Sequence, residues 1–451
     1  MKKTVTKNSL INLEFMYVLF ILLLIISCYL SGISVKGVSP FPVTLSIGLL
    51  LSFFPTKTHR RLNKKDHSWL GIVIIYLYMW TLATTFINFN IKVINHEIII
   101  LTECIICFFI IRKFSSYIVL KSKANYLILI LFSSLLIISA LSASVIIMQY
   151  FQLVDLDKVT ILKRGLFYRP HGFLGEPNFG SVILVIGMIS GLFLYFFQNK
   201  VVYKVGILFG VLSSLLGVIY AGSRTGVILC GLSILGFILL LVKYEDKKLE
   251  IYRGVLSLFM YLAIGFLLTW VFLIAPDQDI WILRSTARVF DTIKGTGDVD
   301  HSIIYRIEVW KVLAEYIQNN PSSLLIGHGL GESITILQKH MGIYLATHNT
   351  FLALLFDTGI VGLIFFIVIL FLGFYESMET IKKGSRSADK KIILWGKAGA
   401  MFIIIFCVAS FSLHIFTVSK LFWIILGMIS GIKRGLFRTE GYLLISESCP
   451  L

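Results

Sequence analysis

Charge is scarce in this sequence. Asp, Glu, Lys and Arg together make up 14% of its 451 residues, while apolar types make up 57%, and the mean hydropathy is +0.88. A water-soluble chain of this length would expose far more charge, so a soluble globular fold is excluded. Alternating apolar/polar patterning is missing too, which excludes a β-barrel and leaves a helical bundle. No D-x-D or His/Cys/Glu cluster offers a convincing metal site, and no internal repeat is evident. Cysteine carries little information. Cys104-x-x-Cys107 lies inside an apolar run without a partner pair and reads as ordinary packing. The lysines before the first run, with Ile25-Ile26-Ser27-Cys28, have the look of a lipoprotein cleavage box, but a plain first membrane helix is the expectation.

What is present is a succession of apolar runs of about 17–25 residues, the length a bilayer core demands of a helix. The expected fold class is all-α: one integral membrane domain over 1–451 with about twelve transmembrane helices. The spans are expected at 13–30, 40–54, 69–88, 94–111, 126–150, 179–197, 202–220, 225–242, 251–275, 349–375, 392–410 and 415–431. The net charge of +17 does not point to nucleic acid, because the cations sit in short clusters between apolar runs. They fall on alternate sides: Lys57 to Lys65, Arg112 to Lys123, Lys243 to Arg253 and Lys382 to Lys391 on one, almost bare loops on the other. The positive-inside rule then puts both termini in the cytoplasm. Two outer loops break the bare pattern, 151–178 and the long 276–348.

Four stretches could do chemistry. Arg169-Pro170-His171-Gly172-Phe173-Leu174-Gly175-Glu176-Pro177-Asn178 re-enters the membrane with two prolines and two glycines, which leaves backbone groups free. Such backbone is tolerated at membrane depth where it lines a cavity; the alternative is an interfacial turn with a snorkelling arginine. Gly222-Ser223-Arg224-Thr225-Gly226 puts an arginine between two apolar helices, where it needs an anion or water. Within the long loop, Ile303, Ile307, Trp310, Leu313 and Ile317 make one helical stripe over 303–318, with Arg306, Glu308, Lys311, Glu315 and Gln318 off it. This predicts an amphipathic helix on the membrane surface. Gly327-His328-Gly329-Leu330-Gly331 follows, a turn type able to present amides to phosphate. Finally, Thr347-His348-Asn349-Thr350 stands at the mouth of the next helix, with Asp357 inside it. His348 is a candidate general base. Asp357 is an intramembrane acid, with an arginine salt bridge as the structural alternative. Several cations converging beside a bilayer suit a lipid-linked phosphate and would take the place of a metal at a diphosphate leaving group.

The ensemble resembles the bacterial O-antigen ligase and Wzy-type polysaccharide polymerase superfamily. The matching elements are Arg169-x-x-Gly172 running into Pro177-Asn178, Ser223-Arg224, Arg306 with Trp310 and Asn320-Pro321, Gly327 to Gly331, and His348-Asn349 with Asp357-x-Gly359-x-x-Gly362. The resemblance implies a GT-C-like, metal-independent glycosyltransferase of the bacterial inner membrane with no cofactor. Its donor and acceptor would be oligosaccharides on undecaprenyl diphosphate at the outer face, with a flippase and a chain-length regulator as expected partners. It further implies that Arg169, Arg224 and Arg306, with His171, His328 and Asn349, bind the diphosphate or substrate. His348, or in second place Glu176, would deprotonate the acceptor; Asp357 and Asn178 are structural or undecided. A repeat-unit polymerase for O-antigen or capsule is the favoured expectation. A ligase acting on lipid A-core and, from another class, a multi-pass transporter are the alternatives.

Overall fold

The computed structural model describes residues 7–29, 40–52, 69–88, 91–120, 123–154, 170, 172–174, 177–242, 301–321, 323–342, 347–414, 416 and 419–447. Among these residues there is no strand. They form fourteen helices: α1 Lys7–Tyr29, α2 Pro40–Ser52, α3 Trp69–Asn88, α4 Ile91–Leu120, α5 Ala124–Tyr150, α6 Pro177–Phe197, α7 Val201–Tyr220 and α8 Arg224–Val242. Then come α9 His301–Asn319, α10 Ser323–Ile326, α11 Glu332–Met341, α12 Thr350–Arg386, α13 Lys390–Ser410 and α14 Lys420–Glu447. Six of them, α3, α5, α6, α7, α12 and α13, are long and apolar enough to cross a membrane. The apolar stretches of α1, α2 and α8 are shorter, and the expected span at 251–275 lies outside the described residues. A polytopic helical membrane protein is therefore the architecture.

Contacts divide the chain into two compact units, Met1–Ser134 with Arg306–Leu451, and Leu135–Tyr305. In the first, α14 lies against α4. A Cβ on Gly427 would stand 2.8 Å from the Phe108 carbonyl oxygen, and one on Gly431 2.7 Å from that of Arg112. Glycines four residues apart let two backbones meet where lipid gives no hydrophobic drive to helix pairing. Trp395 and Trp423, both fully buried, fill the space between neighbours. The last span begins later than its apolar run. Ser419 Oγ accepts from Phe422 N at 3.3 Å, and Trp423 Nε1 donates to the Phe416 carbonyl at 3.0 Å. These bonds start α14 at Lys420 instead of residue 415.

The second unit is centred on α6, almost wholly buried from Phe179 to Leu194. Pro177 opens α6, where a missing N–H costs nothing. Before it, a single 3-10 turn, Gly172–Leu174, is tied to α5: Gly172 N donates to Gln149 Oε1 at 2.9 Å. The turn between α7 and α8 is tied to α6 as well, since Ser223 Oγ donates to Asn178 Oδ1 at 3.0 Å.

Candidate functional site

The best-defined polar geometry belongs to the first unit and is built on α12. This helix has 37 residues, about 55 Å of rise, and breaks at Gly359, where φ is 70° and ψ −176°. A residue with a side chain would be strained there, and a Cβ would stand 2.2 Å from the Leu325 carbonyl oxygen. The break frees carbonyls that a continuous helix would use. Trp80 Nε1 on α3 takes that of Thr358 at 2.8 Å. The loop Gly327–Gly331 takes two more: His328 N donates to the Phe356 carbonyl at 3.0 Å and Gly329 N to that of Asp357 at 2.8 Å.

Every amide of this glycine-rich loop is used inside the protein. Gly327 N donates to the Ser323 carbonyl at 2.7 Å, Leu330 N to Thr85 Oγ1 at 3.1 Å, and Gly331 N to Asp357 Oδ2 at 3.1 Å. The turn therefore presents no amide to a phosphate, contrary to the expectation from its glycines. Its glycines are needed for contact instead: a Cβ on Gly327 would meet the Asp357 carbonyl oxygen at 2.4 Å. Asp357 completes the clasp. Its carboxylate is 2% exposed and accepts from Gly331 N and, through Oδ1, from Ser333 N at 2.8 Å. It thus caps α11 from another helix, where Gly331 has no side chain to do so. The carboxylate is held by backbone amides, not by the arginine that the sequence alternative supposed.

His328 sits in the same clasp. Its ring stacks on Phe356 at 4.3 Å and 11°, and meets Tyr316 of α9 edge-on at 5.2 Å. Nδ1 lies 3.2 Å from the Phe356 carbonyl, which fixes the proton on that nitrogen. Burial pushes its pKa below the usual histidine value, against the Phe356 hydrogen bond and the charge of Glu332.

His348 stands at the start of α12 between two anchored neighbours. The Thr347 carbonyl accepts from Trp310 Nε1 of α9 at 3.1 Å. Asn349 is the N-cap, its side chain accepting from Leu352 N at 3.0 Å. Thr350 Oγ1 donates to the Leu413 carbonyl at 2.6 Å. Between these, His348 has φ 51° and is half-buried. A non-glycine residue in the left-handed region costs on the order of 1 kcal/mol and persists where its surroundings over-determine it.

Helix α9 forms where its apolar periodicity predicts, but its buried face is turned from the expected one. Val309 and Leu313 are buried, Trp310, Tyr316 and Ile317 half-buried, and Ile307 is 42% exposed. Arg306, expected off the apolar stripe, is half-buried on this packed face. It lies one helical turn, about 6 Å along the axis, from the Trp310 that holds Thr347.

Of the remaining candidates, Arg169, His171 and Glu176 lie outside the described residues. Arg224 is the first residue of α8, and Asn178 holds Ser223. Among the described residues no group of three or more His, Cys, Asp or Glu side chains could hold a metal ion. The residues that fix the site and escaped sequence reading are Thr85 and Trp80. A hint of Thr85 exists in the three threonines Thr81, Thr84 and Thr85, all buried in a largely apolar α3.

Residues 208–367 match the family model Wzy_C, described as O-antigen ligase. No curated protein matches the chain. The matched segment is about a third of the sequence; it contains Arg224, Arg306, His328, His348, Asn349 and Asp357, and begins after Arg169, His171, Glu176 and Asn178. It supports the resemblance to the O-antigen ligase and Wzy superfamily.

Proposed function

From this match to the O-antigen ligase family, we propose that the protein is a membrane-embedded glycosyltransferase acting on glycan carried by undecaprenyl diphosphate. The observation that carries the reading is the anchoring of His348 between Thr347 and Asn349, beside the α9 face that bears Arg306. An acceptor hydroxyl attacks the anomeric carbon, the bond from that carbon to the diphosphate oxygen breaks, and the hydroxyl proton passes to the His348 imidazole. Arg306 counters the charge that grows on the departing diphosphate, a task suited to a guanidinium. No metal is needed in this scheme.

The acceptor we favour is a second lipid-linked repeat unit, which makes the protein a polysaccharide polymerase at the outer face of the plasma membrane, with both termini cytoplasmic. The description of the matching family favours a second reading, a ligase with lipid A-core as acceptor. Purified protein given lipid-linked repeat units alone tests the first: growing polymer supports it, while product only on addition of lipid A-core supports the ligase. Arg169, Arg224 and Glu176 have proposed roles from their motifs, and their alanine variants in the same assay test each separately.

A further inference from the structure

The transfer chemistry proposed above uses the His348 end of α12. The far end of the same helix, beyond Phe371, carries a second polar assembly that this chemistry leaves unused. Segment 376–397 and residues 433–434 hold eight cationic side chains and three carboxylates, and one of those carboxylates, Asp389, caps α13. Topological charge accounts for the exposed members, such as Lys382 and Arg386. It does not account for lysines gathered in the interior. Lys383 is 6% exposed and Glu376 3% exposed, and burying such groups at a membrane is costly.

The geometry is that of a cradle between α12 and α14. Lys383 Nζ lies 4.0 Å from the centre of the Phe437 ring, and Lys433 Nζ, from the other helix, 5.8 Å from the same ring. Lys433 is also 5.4 Å from the Tyr375 ring and 3.8 Å from Glu376 Oε1. Two ammonium groups thus face one aromatic ring, and one carboxylate, Glu376, lies against Lys433, so these three groups together are cationic. The outward side of the cradle is formed by Lys433 and the two rings, Phe437 39% and Tyr375 48% exposed, while Lys383 Nζ is itself buried. A track of exposed apolar side chains on α12, Ile364, Ile367 and Phe371, leads along the helix to Tyr375. A phosphate bearing acyl chains fits both features: charge for the cradle, apolar length for the track.

We propose that the α12–α14 cradle of Lys433, Tyr375 and Phe437, with the buried charge of Lys383 beside it, binds the headgroup of an anionic phospholipid, with its acyl chains on the Ile364–Phe371 track. Thermal unfolding of the full chain in neutral detergent tests this with three probes: phosphatidylglycerol, phosphatidylcholine and sodium phosphate. Phosphatidylglycerol is expected to raise Tm by several degrees, and the other two to leave it unchanged. Lys433→Gln should lose at least half of that shift, Lys433→Arg should keep most of it, and Lys382→Gln, at an exposed neighbour, should keep all of it. Bound phosphatidylglycerol counted by native mass spectrometry should follow the same order, and this readout stands even where a variant lowers its own basal Tm. An equal shift with phosphatidylcholine, a shift reproduced by sodium phosphate, or an undiminished effect in Lys433→Gln would overturn the proposal.

Discussion

The indole of Trp310 donates to the carbonyl of Thr347 at 3.1 Å, and so ties the amphipathic helix α9 to the residue that precedes His348. The bond links the two elements that carry Arg306 and His348. Trp310→Phe keeps most of the apolar area and removes only the donor. It should cost about 1 kcal/mol of stability and reduce turnover by about tenfold, the effect of about 1.4 kcal/mol on a barrier. Binding of the lipid-linked donor should change little. Steady-state kinetics in detergent separates kcat from KM, and a loss confined to KM would argue against a positioning role.

Asp357 is expected to matter for folding and not for chemistry. The Gly331 and Ser333 amides donate to different oxygens of the carboxylate, so Asp357→Asn keeps an acceptor for only one of them, sets its NH2 against the other and removes the charge. A loss of about 1.5–3 kcal/mol is expected, read as a lowered Tm, with turnover per folded molecule near the parent's. An unchanged Tm together with lost activity would make it a reacting group instead.

The clasp between Gly327 and Gly359 leaves no space for side chains. Gly359→Ala places a Cβ 2.2 Å from the Leu325 carbonyl oxygen at a φ of 70°. It should cost more than about 3 kcal/mol and sharply lower the yield of folded protein. Gly342→Ala, also at positive φ but with open space around it, should cost only about 1 kcal/mol. Comparing size-exclusion profiles and Tm of the two variants separates the cost of an ordinary left-handed residue at Gly342 (ψ 3°) from that of Gly359, where the extended ψ of −176° and the Leu325 contact both exclude a side chain.

How much of this could be read beforehand differs from element to element. The apolar runs of α3, α5, α6, α7 and α13 locate their helices to within a few residues, because bilayer length and side-chain apolarity act locally, whereas α12 starts where its run does but continues eleven residues beyond it, to Arg386. The existence of α9 is legible in its helical apolar periodicity, but its rotation is not. Ile307 is as apolar as Val309, and nothing local decides which of them is covered; the tertiary partners of α9, Thr347 at Trp310 and His328 at Tyr316, come from distant segments. The glycines of 327–331 suggested an anion cradle. Their real task appears only once the helix break at Gly359 brings the carbonyls of Phe356 and Asp357 within reach. The left-handed conformation of His348 has no signature in composition or spacing.

His328 gives the clasp a pH dependence. Its folded-state pKa lies below the ordinary 6.5 because burial disfavours the charged ring. As pH falls through 6.5, the opened loop takes up a proton before the closed one does. The stability that the neutral ring contributes is therefore complete above that value and declines below it. Hydrogen exchange of 323–333, corrected for the intrinsic rate, should be faster at pH 5.5 than at pH 7.5. His328→Phe, which keeps an aromatic ring against Phe356, should remove the difference. An unaltered pH response in that variant would assign it to another group.

The central claim is that His348 and Arg306 serve one transfer reaction, and its most direct measurement is elongation of purified lipid-linked repeat units in the absence of added metal. His348→Ala and Arg306→Ala should each lower the rate by about 100-fold or more while the proteins keep the parent's Tm within a few degrees. Elongation at the parent's rate by both variants would contradict the account.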